Sequence, residues 1–393
     1  MSARVIGAEH VAEAGARGRQ VLEVLPGDIV TALASETAER LGIRLVDGPL
    51  PRPAVHRTDG AVAARRALWR RGARWMTPEA PATRGARRLR RLALIGAGGV
   101  GAAVAHLSAN ADLATEIALI DVVPGLAEAA ALDLTHAGGI TGSRAAITGT
   151  TDLAAVAGAE VVVVTAGRPR GPGMTRADLI DVNRRVIHTA AEAIRTQAPG
   201  AVVIVVTNPL DEMTVEMLRA TGFRREQVLG MAGTLDSSRF RAALARAAGV
   251  APGDVEAMTL GSHGDEMAPI LSRARIRGRA VSAFLSNDEI AAAAEDALTG
   301  GGQVVALKKT GSATLAPAHA VVELLDHLRG ARTGPVPVSV WLEGEYGIED
   351  VVLGVPCRLG AGGLIAVEEL ALEDGELEAL NRAAEAIRAR LAG

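Results

Sequence analysis

A glycine-rich sequence lies between two apolar runs near residue 96. The run at residues 92–95 ends in Gly96-Ala97-Gly98-Gly99-Val100-Gly101, and a second run, at residues 117–120, ends in Asp121. After a strand, the first glycine of this pattern permits a tight turn, the second lets the backbone approach a pyrophosphate, and the third lets the next helix pack closely. The N–H groups at the start of that helix attract phosphate oxygens. The spacing therefore predicts a dinucleotide-binding site at residues 96–101, not a purely structural turn.

Asp121 indicates which dinucleotide binds. A carboxylate at the end of the second strand accepts hydrogen bonds from both ribose hydroxyls and repels a 2′-phosphate, so the sequence favours NAD over NADP. A second glycine-rich segment, residues 360–363, lies between strand-like runs at 351–353 and 364–367. Because strands flank it on both sides, we predict that it is a hairpin turn without a phosphate.

Charged and amide side chains lie in loops that follow further apolar runs. The run at 161–165 leads into a loop rich in proline and glycine, and the run at 202–207 leads into an Asn-Pro pair. The candidate substrate-site residues in and after these loops are Arg170, Arg176, Asn208, Arg239 and His263. Arginine grips carboxylates with its planar fork, so this set suits a small anionic substrate that loses a proton. The alternatives are a solvated helix position for Arg239 and an ordinary loop position for His263.

The apolar runs also indicate the fold. Those at 92–95, 117–120, 161–165 and 202–207 are continuous and not alternating, which is typical of parallel strands covered by helices on both faces. We predict an α/β protein with a Rossmann-type, doubly wound parallel sheet over residues 89–235, where ligands bind beyond the carboxyl ends of the strands. A second, α+β substrate and catalytic domain follows over residues 236–393. A closing helix there carries one apolar stripe, Leu377, Leu380, Ala384, Ile387 and Leu391.

The first 88 residues differ from this body. Residues 1–50 are predicted to be a short appended segment with strands at 5–6, 21–25 and 43–46 and a helix at 29–41. Residues 51–88 are predicted to be a basic linker, since residues 51–91 hold twelve arginines and only two acids. Within it, residues 62–76 include Trp69 and Trp75. They form either a solvated linker with anchoring tryptophans or a basic amphipathic helix for a partner or membrane surface.

Composition excludes several classes of protein. The 393 residues provide for two or three domains, and the net charge of −3 gives no bulk attraction to nucleic acid, for which no motif is present either. The single cysteine, Cys357, excludes an intrachain disulfide and a cysteine metal cluster, and we expect no metal site. No apolar run approaches a membrane span, and the start is not a secretory signal. We expect a cytoplasmic protein.

From about Arg88 to Leu391 the sequence resembles the malate/lactate dehydrogenase family, especially its bacterial malate dehydrogenases of lactate-dehydrogenase-like type. Eight segments match the motifs of that family and occur in its order. They are Gly96-Ala-Gly-Gly-Val-Gly101, Leu119-Ile-Asp121, Thr165-Ala-Gly167, Pro172-Gly-Met-Thr-Arg176, Asp181-Val-Asn183, Thr207-Asn-Pro209, Leu235-Asp-Ser-Ser-Arg239 and Leu260-Gly-Ser-His-Gly-Asp265. The resemblance implies NAD-dependent oxidation of a 2-hydroxy acid and assembly into homodimers or homotetramers.

The resemblance also implies roles for matched residues. His263 would accept the hydroxyl proton, and Asp236 would hold its imidazole. Arg239 would clamp the reacting carboxylate, Arg176 would polarise the carbonyl from a lid, and Asn208 would bind substrate. The residues implied to line the nicotinamide site are Asn183, Val206, Thr207 and Asn208.

Arg170 bears on the substrate. In this family the lid position carries arginine for a second carboxylate and glutamine for a methyl group, so Arg170 favours malate and oxaloacetate over lactate and pyruvate. The implied activity is the malate dehydrogenase step of the tricarboxylic acid cycle. Gly171 departs from the family, which usually has lysine there. The segment therefore has less positive charge than in the family, which concerns the rate of turnover more than the choice of substrate. The alternatives are a dehydrogenase of another 2-hydroxy acid and, from another class, a non-catalytic assembly protein.

Residues 1–50 resemble the N-terminal segment of Q-type ethanolamine-utilisation proteins, which are associated with bacterial microcompartments. The matching segments are Ile6-Gly-Ala-Glu-His-Val11, Ala16-Arg-Gly18, Ile29-Val-Thr31 and Ala38-Glu-Arg-Leu-Gly42. This resemblance implies recruitment to an assembly or a microcompartment through residues 1–76.

Overall fold

The computed structural model describes residues 5–16, 21–24, 28–47, 86–169, 176–264, 266–309 and 311–392. The chain divides into two compact units, Met1–Ala63 and Ala64–Gly393. Residues 51–85 of the predicted basic linker, with the two tryptophans at 69 and 75, lie outside the described residues. Within the described ranges, no helix combines the length and apolar character needed to cross a bilayer.

The N-terminal unit is a small α/β arrangement. Its elements are β1 (Val5–Ile6), α1 (Ala8–Ala16), β2 (Val21–Val24), β3 (Ile29–Val30), α2 (Ala32–Leu41) and β4 (Arg44–Asp47). Strands β1 and β3 pair in parallel, as do β2 and β4. The prediction of a helix from residue 29 was wrong at its start, because the β-branched Ile29 and Val30 pair with β1. The helix begins only after Thr31, whose hydroxyl caps it by accepting from the Ala34 N–H.

A parallel sheet dominates the first half of the second unit. Its strands are β5 (Leu89–Ile95), β6 (Ala114–Ile120), β7 (Ala146–Thr150), β8 (Val161–Val164), β9 (Val202–Val205) and β10 (Val228–Gly230). Its helices are α3 (Gly99–Asn110), α4 (Leu126–Thr141), α5 (Arg176–Gln197) and α6 (Leu210–Thr221). In the sheet the strands run β7-β6-β5-β8-β9-β10, all parallel. This order is that of a Rossmann fold, and the predicted fold class is confirmed.

The two faces of this sheet have separate apolar cores. Leu92 and Leu94 of β5 pack in a cluster with residues of α3 and α4, whereas Ala93 and Ile95 pack in a second cluster with residues of α5 and α6. Burial on both faces is the reason for the continuous apolar runs in the sequence. The order of strands reverses between β5 and β8, so a crevice opens beyond their carboxyl ends.

The second half of the unit is mixed, as predicted. Its helices are α7 (Gly233–Ala248), α8 (Asn287–Lys308), α9 (Leu315–Leu328) and α10 (Asp374–Ala392). Its strands are β11 (Val255–Glu256), β12 (Thr259–Gly261), β13 (Met267–Pro269), β14 (Arg275–Ile276), β15 (Arg279–Ala280), β16 (Val336–Glu343), β17 (Glu349–Gly360) and β18 (Gly363–Val367). Strand β16 joins the edge of the parallel sheet by pairing antiparallel with β10.

Two predictions for this half are confirmed. Strands β17 and β18 form an antiparallel hairpin, so the glycine-rich segment at 360–363 is a turn. Helix α10 buries Leu380, Ala384 and Ile387 in the main core, which is the predicted stripe.

Candidate active site

The glycine turn has the geometry that a pyrophosphate site requires. Gly96, after β5, has a φ of 106°, in the region that favours glycine. A Cβ on Gly101 would overlap the carbonyl oxygen of Gly96, so the helix packs against the turn only with glycine there. A Cβ on Gly98 would have no atom within 4 Å, so this side of the turn faces open space. The N-terminus of α3 is therefore accessible to a phosphate, which fits the predicted dinucleotide.

Asp121 stands beside this turn at the end of β6. Its Oδ2 accepts a hydrogen bond of 2.7 Å from the Ala97 N–H, and its Oδ1 accepts one of 3.0 Å from the Val123 N–H. These bonds fix the carboxylate while leaving further acceptor capacity on both oxygens. Asp121, Gly96 and Gly98 line the same cleft of about 470 Å³. The cleft is therefore large enough for part of a dinucleotide, and Asp121 lies on its wall.

A second cavity of about 340 Å³ adjoins the first and shares Thr165, Gly167 and Arg168 with it. Residues predicted separately from the sequence meet on its wall. They are Val100, Asn183, Val206, Thr207, Asn208, Arg239 and His263. The second cavity thus joins the predicted nicotinamide-site and substrate-site residues to the glycine cleft.

His263 lines this cavity and forms a hydrogen-bonded couple with Asp236. His263 lies in the loop between β12 and β13, and its Nδ1 is 2.8 Å from Oδ2 of Asp236. Asp236, in the first turn of α7, is only 2% exposed. One turn further, Arg239 Nη1 donates to Asp236 Oδ1 at 3.1 Å. With Nδ1 facing the carboxylate, Nε2 of His263 is the nitrogen left to exchange a proton with a ligand.

Electrostatics favour the charged imidazolium. Burial of His263 and the charge of Arg239 lower its pKa, but the carboxylates of Asp236 and Asp211 outweigh both effects. The pKa of His263 is therefore raised above its ordinary value. A histidine in this state holds a proton at neutral pH more readily than a free imidazole and still releases it to a suitable base.

Asn183 is in the predicted region but makes contacts that the sequence did not indicate. It is 1% exposed, and its amide bonds to backbone groups. Oδ1 accepts from the Arg168 N–H at 2.7 Å, and Nδ2 donates to the carbonyls of Arg168 and Asn208 at 3.1 and 2.6 Å. Asn183 thus joins the start of the loop after β8 to the Asn208 segment.

Asp211 was missed by sequence reasoning. It is completely buried, and burial raises its pKa. Its Oδ2 accepts from the His263 backbone N–H at 2.8 Å and from the Ser262 hydroxyl at 3.0 Å, and its Oδ1 accepts from Ser339 at 2.9 Å. In the sequence it is simply an acid in the first turn of a helix, a common position that the helix dipole favours. The one available signal was its place two residues after Pro209.

Some predicted residues cannot be placed. Arg170 and Gly171 lie outside the described residues, and α5 begins at Arg176, of whose side chain nothing is described. Among the residues that are described, no group of histidine, cysteine or acidic side chains could hold a metal ion.

Sequence comparisons agree with this geometry. Residues 90–230 match the family model of the lactate/malate dehydrogenase NAD binding domain, and residues 233–392 match that of the lactate/malate dehydrogenase alpha/beta C-terminal domain. A malate dehydrogenase of Nostoc punctiforme is 43% identical over 300 residues, covering 76% of this chain and 91% of the relative. One from a Roseiflexus species is 41% identical over 302 residues, covering 77% and 97%.

Solved structures give the same result. The malate dehydrogenase of Cryptosporidium parvum is 36% identical, with a TM-score of 0.75 over 78% of this chain and 98% of that one. The lactate dehydrogenase of the same organism, solved with lactic acid and NAD, is 32% identical, with the same TM-score and coverage. The chain belongs to the lactate/malate dehydrogenase family.

Proposed function

We propose that this protein is an NAD-dependent malate dehydrogenase that interconverts (S)-malate and oxaloacetate. The observation that carries the proposal is the hydrogen bond between His263 and Asp236, because His263 lines the same cavity as Arg239 beside the glycine cleft. A base, its orienting acid and a carboxylate clamp are what removal of a hydroxyl proton from a 2-hydroxy acid requires. Relatives at about 40% identity are named malate dehydrogenase.

The residues of the glycine cleft would hold NAD. Gly96, Gly98 and Gly101 would leave the N-terminus of α3 open to the pyrophosphate, and Asp121 would accept hydrogen bonds from the adenosine ribose. The bound cofactor supplies the hydride acceptor. Val206, Thr207 and Asn208, at the carboxyl end of β9, line the cavity where the reactive ring would lie.

The chain's own residues move the proton and orient the acid. His263 takes the hydroxyl proton at Nε2, and Asp236 stabilises the imidazolium that forms. Arg239 binds the carboxylate next to the reacting carbon with its planar fork, and Asn208 binds substrate oxygen. We assign Arg176 to polarisation of the carbonyl, the role that the family motif at residues 172–176 implies for it.

Malate as the substrate rests on Arg170. Burying a second carboxylate without a partner costs several kcal/mol, so a guanidinium in the lid selects dicarboxylic acids over lactate and pyruvate. The second candidate is a dehydrogenase of another 2-hydroxy acid. The family supports it, since the lactate dehydrogenase of Cryptosporidium parvum has the same fold.

A steady-state assay tests the proposal. Purified protein is given oxaloacetate or pyruvate with either NADH or NADPH, and kcat/KM is measured for each of the four pairs. We expect the highest value for oxaloacetate with NADH. Faster turnover of pyruvate would favour the second candidate, and a preference for NADPH would contradict the role of Asp121. Absence of turnover with every pair would support a non-catalytic assembly protein.

Assembly and location belong to the proposal as well. We place the enzyme in the cytoplasm as a homodimer or homotetramer, with residues 1–76 available to a partner or a microcompartment. The separate apolar cluster of the N-terminal unit supports an appended module. Its members include Ile6, Val11, Ala34 and Ile43.

A further inference from the structure

A partly buried ion-pair cluster connects the end of α10 with the loop that holds His263 and lines neither cavity. Arg390, near the end of α10, is its centre. Nε donates to Glu212 Oε1 at 2.6 Å, Nη1 to Glu266 Oε1 at 2.9 Å, and Nη2 to the Ser262 hydroxyl at 3.0 Å. Among the described residues that line the two cavities, none belongs to this Arg390 cluster of Arg390, Glu212, Ser262 and Glu266.

The partners of Arg390 come from two elements that carry functional residues. Glu212 is in the first turn of α6, which follows the Asn208 segment. Ser262 and Glu266 lie on the two sides of His263 in the β12–β13 loop. One guanidinium therefore fixes both sides of the catalytic loop and the start of the helix next to the substrate site. A planar group with several divergent donors can do this, whereas a lysine ammonium cannot match the geometry.

The cluster also reaches the backbone of His263. The Ser262 hydroxyl accepts a hydrogen bond from Arg390 Nη2 and donates one to Asp211 Oδ2. Asp211 Oδ2 also accepts a hydrogen bond of 2.8 Å from the His263 backbone N–H. Three hydrogen bonds thus connect α10 with the catalytic residue. Glu212 is 1% exposed and the Arg390 side chain 15%, so solvent screens these bonds weakly.

We propose that Arg390 is a positioning residue that holds the His263 loop in the position required for proton transfer. It acts through Ser262 and Asp211 on the histidine backbone and touches neither substrate nor cofactor. Displacement of a reacting group by about 1 Å reduces turnover by as much as 10²-fold, so the loop needs such an anchor. The proposal rests on the proposed function of His263 as the proton acceptor.

The first experiment compares Arg390→Ala with Arg382→Ala in the full-length protein. Arg382 is on the same helix, but its ion pair with Glu378 is exposed, which makes it a matched control. With the 2-oxo acid that the wild type reduces, we expect kcat to fall by about tenfold or more in Arg390→Ala and to be unchanged in Arg382→Ala. The Kd for NADH should remain at the wild-type value, because the glycine cleft is not part of the cluster.

The pH profile separates positioning from a purely structural role. Asp236, Asp211 and Arg239 are the charged groups that act on His263, and a displaced loop weakens its contact with the two acids. We therefore expect Arg390→Ala to lower the pH at which reduction loses half its rate. A lower Tm with wild-type kcat and pH profile would mean that the cluster only stabilises the fold, and it would overturn the proposal.

Ser262→Ala keeps the test decisive if Arg390→Ala fails to fold. This change removes the link between Arg390 and Asp211 and leaves both ion pairs of Arg390 in place. We expect Ser262→Ala to lose less kcat than is expected of Arg390→Ala, and wild-type kcat in Ser262→Ala would contradict the proposal. If both single variants fold, their losses should not be additive in the double variant, and additive losses would also contradict it. If the wild type reduces no 2-oxo acid at all, the proposed function fails instead.

Discussion

At the scale of single residues, the proposed catalysis depends on His263. Its imidazole is held by Asp236 at 2.8 Å and lines the cavity with Arg239. Replacing it with alanine should reduce kcat by roughly 10²-fold or more, which is typical for the loss of a general base. NADH titration should give an unchanged Kd. His136→Ala, an exposed position on α4, is the control and should retain full turnover. Near-normal turnover of the His263 variant would disprove the assignment.

The pH dependence of the two directions should be opposite. Reduction needs the imidazolium, so its rate should be constant at low pH and fall as pH rises through the raised pKa of His263. Oxidation needs the neutral ring and should gain rate over the same interval. Asp236→Asn removes the nearest negative charge, so it should lower that pKa and move both profiles to lower pH. Profiles of kcat/KM in both directions measure this, and coincident profiles for the variant and the wild type would exclude the couple.

We predict that substrate choice depends on Arg170. Changing Arg170 to glutamine would remove the partner of the distal carboxylate. We therefore expect kcat/KM for oxaloacetate to fall, and the ratio of kcat/KM for pyruvate to that for oxaloacetate to rise. The ratio of the two values for each protein is the measurement, and it is insensitive to the fraction of active enzyme. An unchanged ratio would mean that another group selects the substrate.

At the scale of elements, the glycine turn joins β5 to α3. A Cβ at position 101 would overlap the Gly96 carbonyl oxygen, so Gly101→Ala should displace the helix N-terminus from the turn. We expect a loss of about 1–3 kcal/mol in stability, typical of overpacking, and weaker NADH binding. Gly139→Ala is the control, because that α4 glycine has no atom within 4 Å of an added Cβ. It should be neutral or gain up to about 1 kcal/mol. Equal effects of the two changes on Tm and Kd would contradict the argument.

The elements also indicate why sequence reasoning succeeded in part. Buried strands such as β8, Val161–Val164, and the glycine turn have strong local signals, and they were found. Strand β7 at the sheet edge is only partly buried, and β10 has three residues, so neither produced a continuous apolar run. The burial of Asp211 and the cluster around Arg390 depend on tertiary packing between distant segments. An acid in a first helical turn and an arginine on an amphipathic helix have common solvent-exposed alternatives, so local pattern could not reveal them.

At the scale of the whole molecule, the chain has a segment of residues 1–89 that precedes the part matched by the family models. The family models begin at residue 90, and every candidate catalytic residue follows that point. The N-terminal unit has its own core and its own strand pairs. Several of its apolar side chains are exposed, among them Ile29 at 55% and Leu33 at 62%. The N-terminal unit contributes none of the candidate catalytic residues, and we predict that it is an interaction module.

Truncation tests this division. A protein beginning at Ala86 keeps Arg87 and Arg88, whose ion pairs with Glu160 and Asp112 secure the start of β5. We expect it to fold, to keep most of its kcat and KM, and to lose any association that depends on residues 1–76. Activity, Tm and sedimentation should be measured on the truncated and full-length proteins together. A truncated protein that aggregates or loses turnover would mean that the removed segment is integral to the fold. If the truncated protein is active and has the same number of subunits as the full-length protein, the appended unit does not join copies of this chain. Any association it makes would then be with other partners.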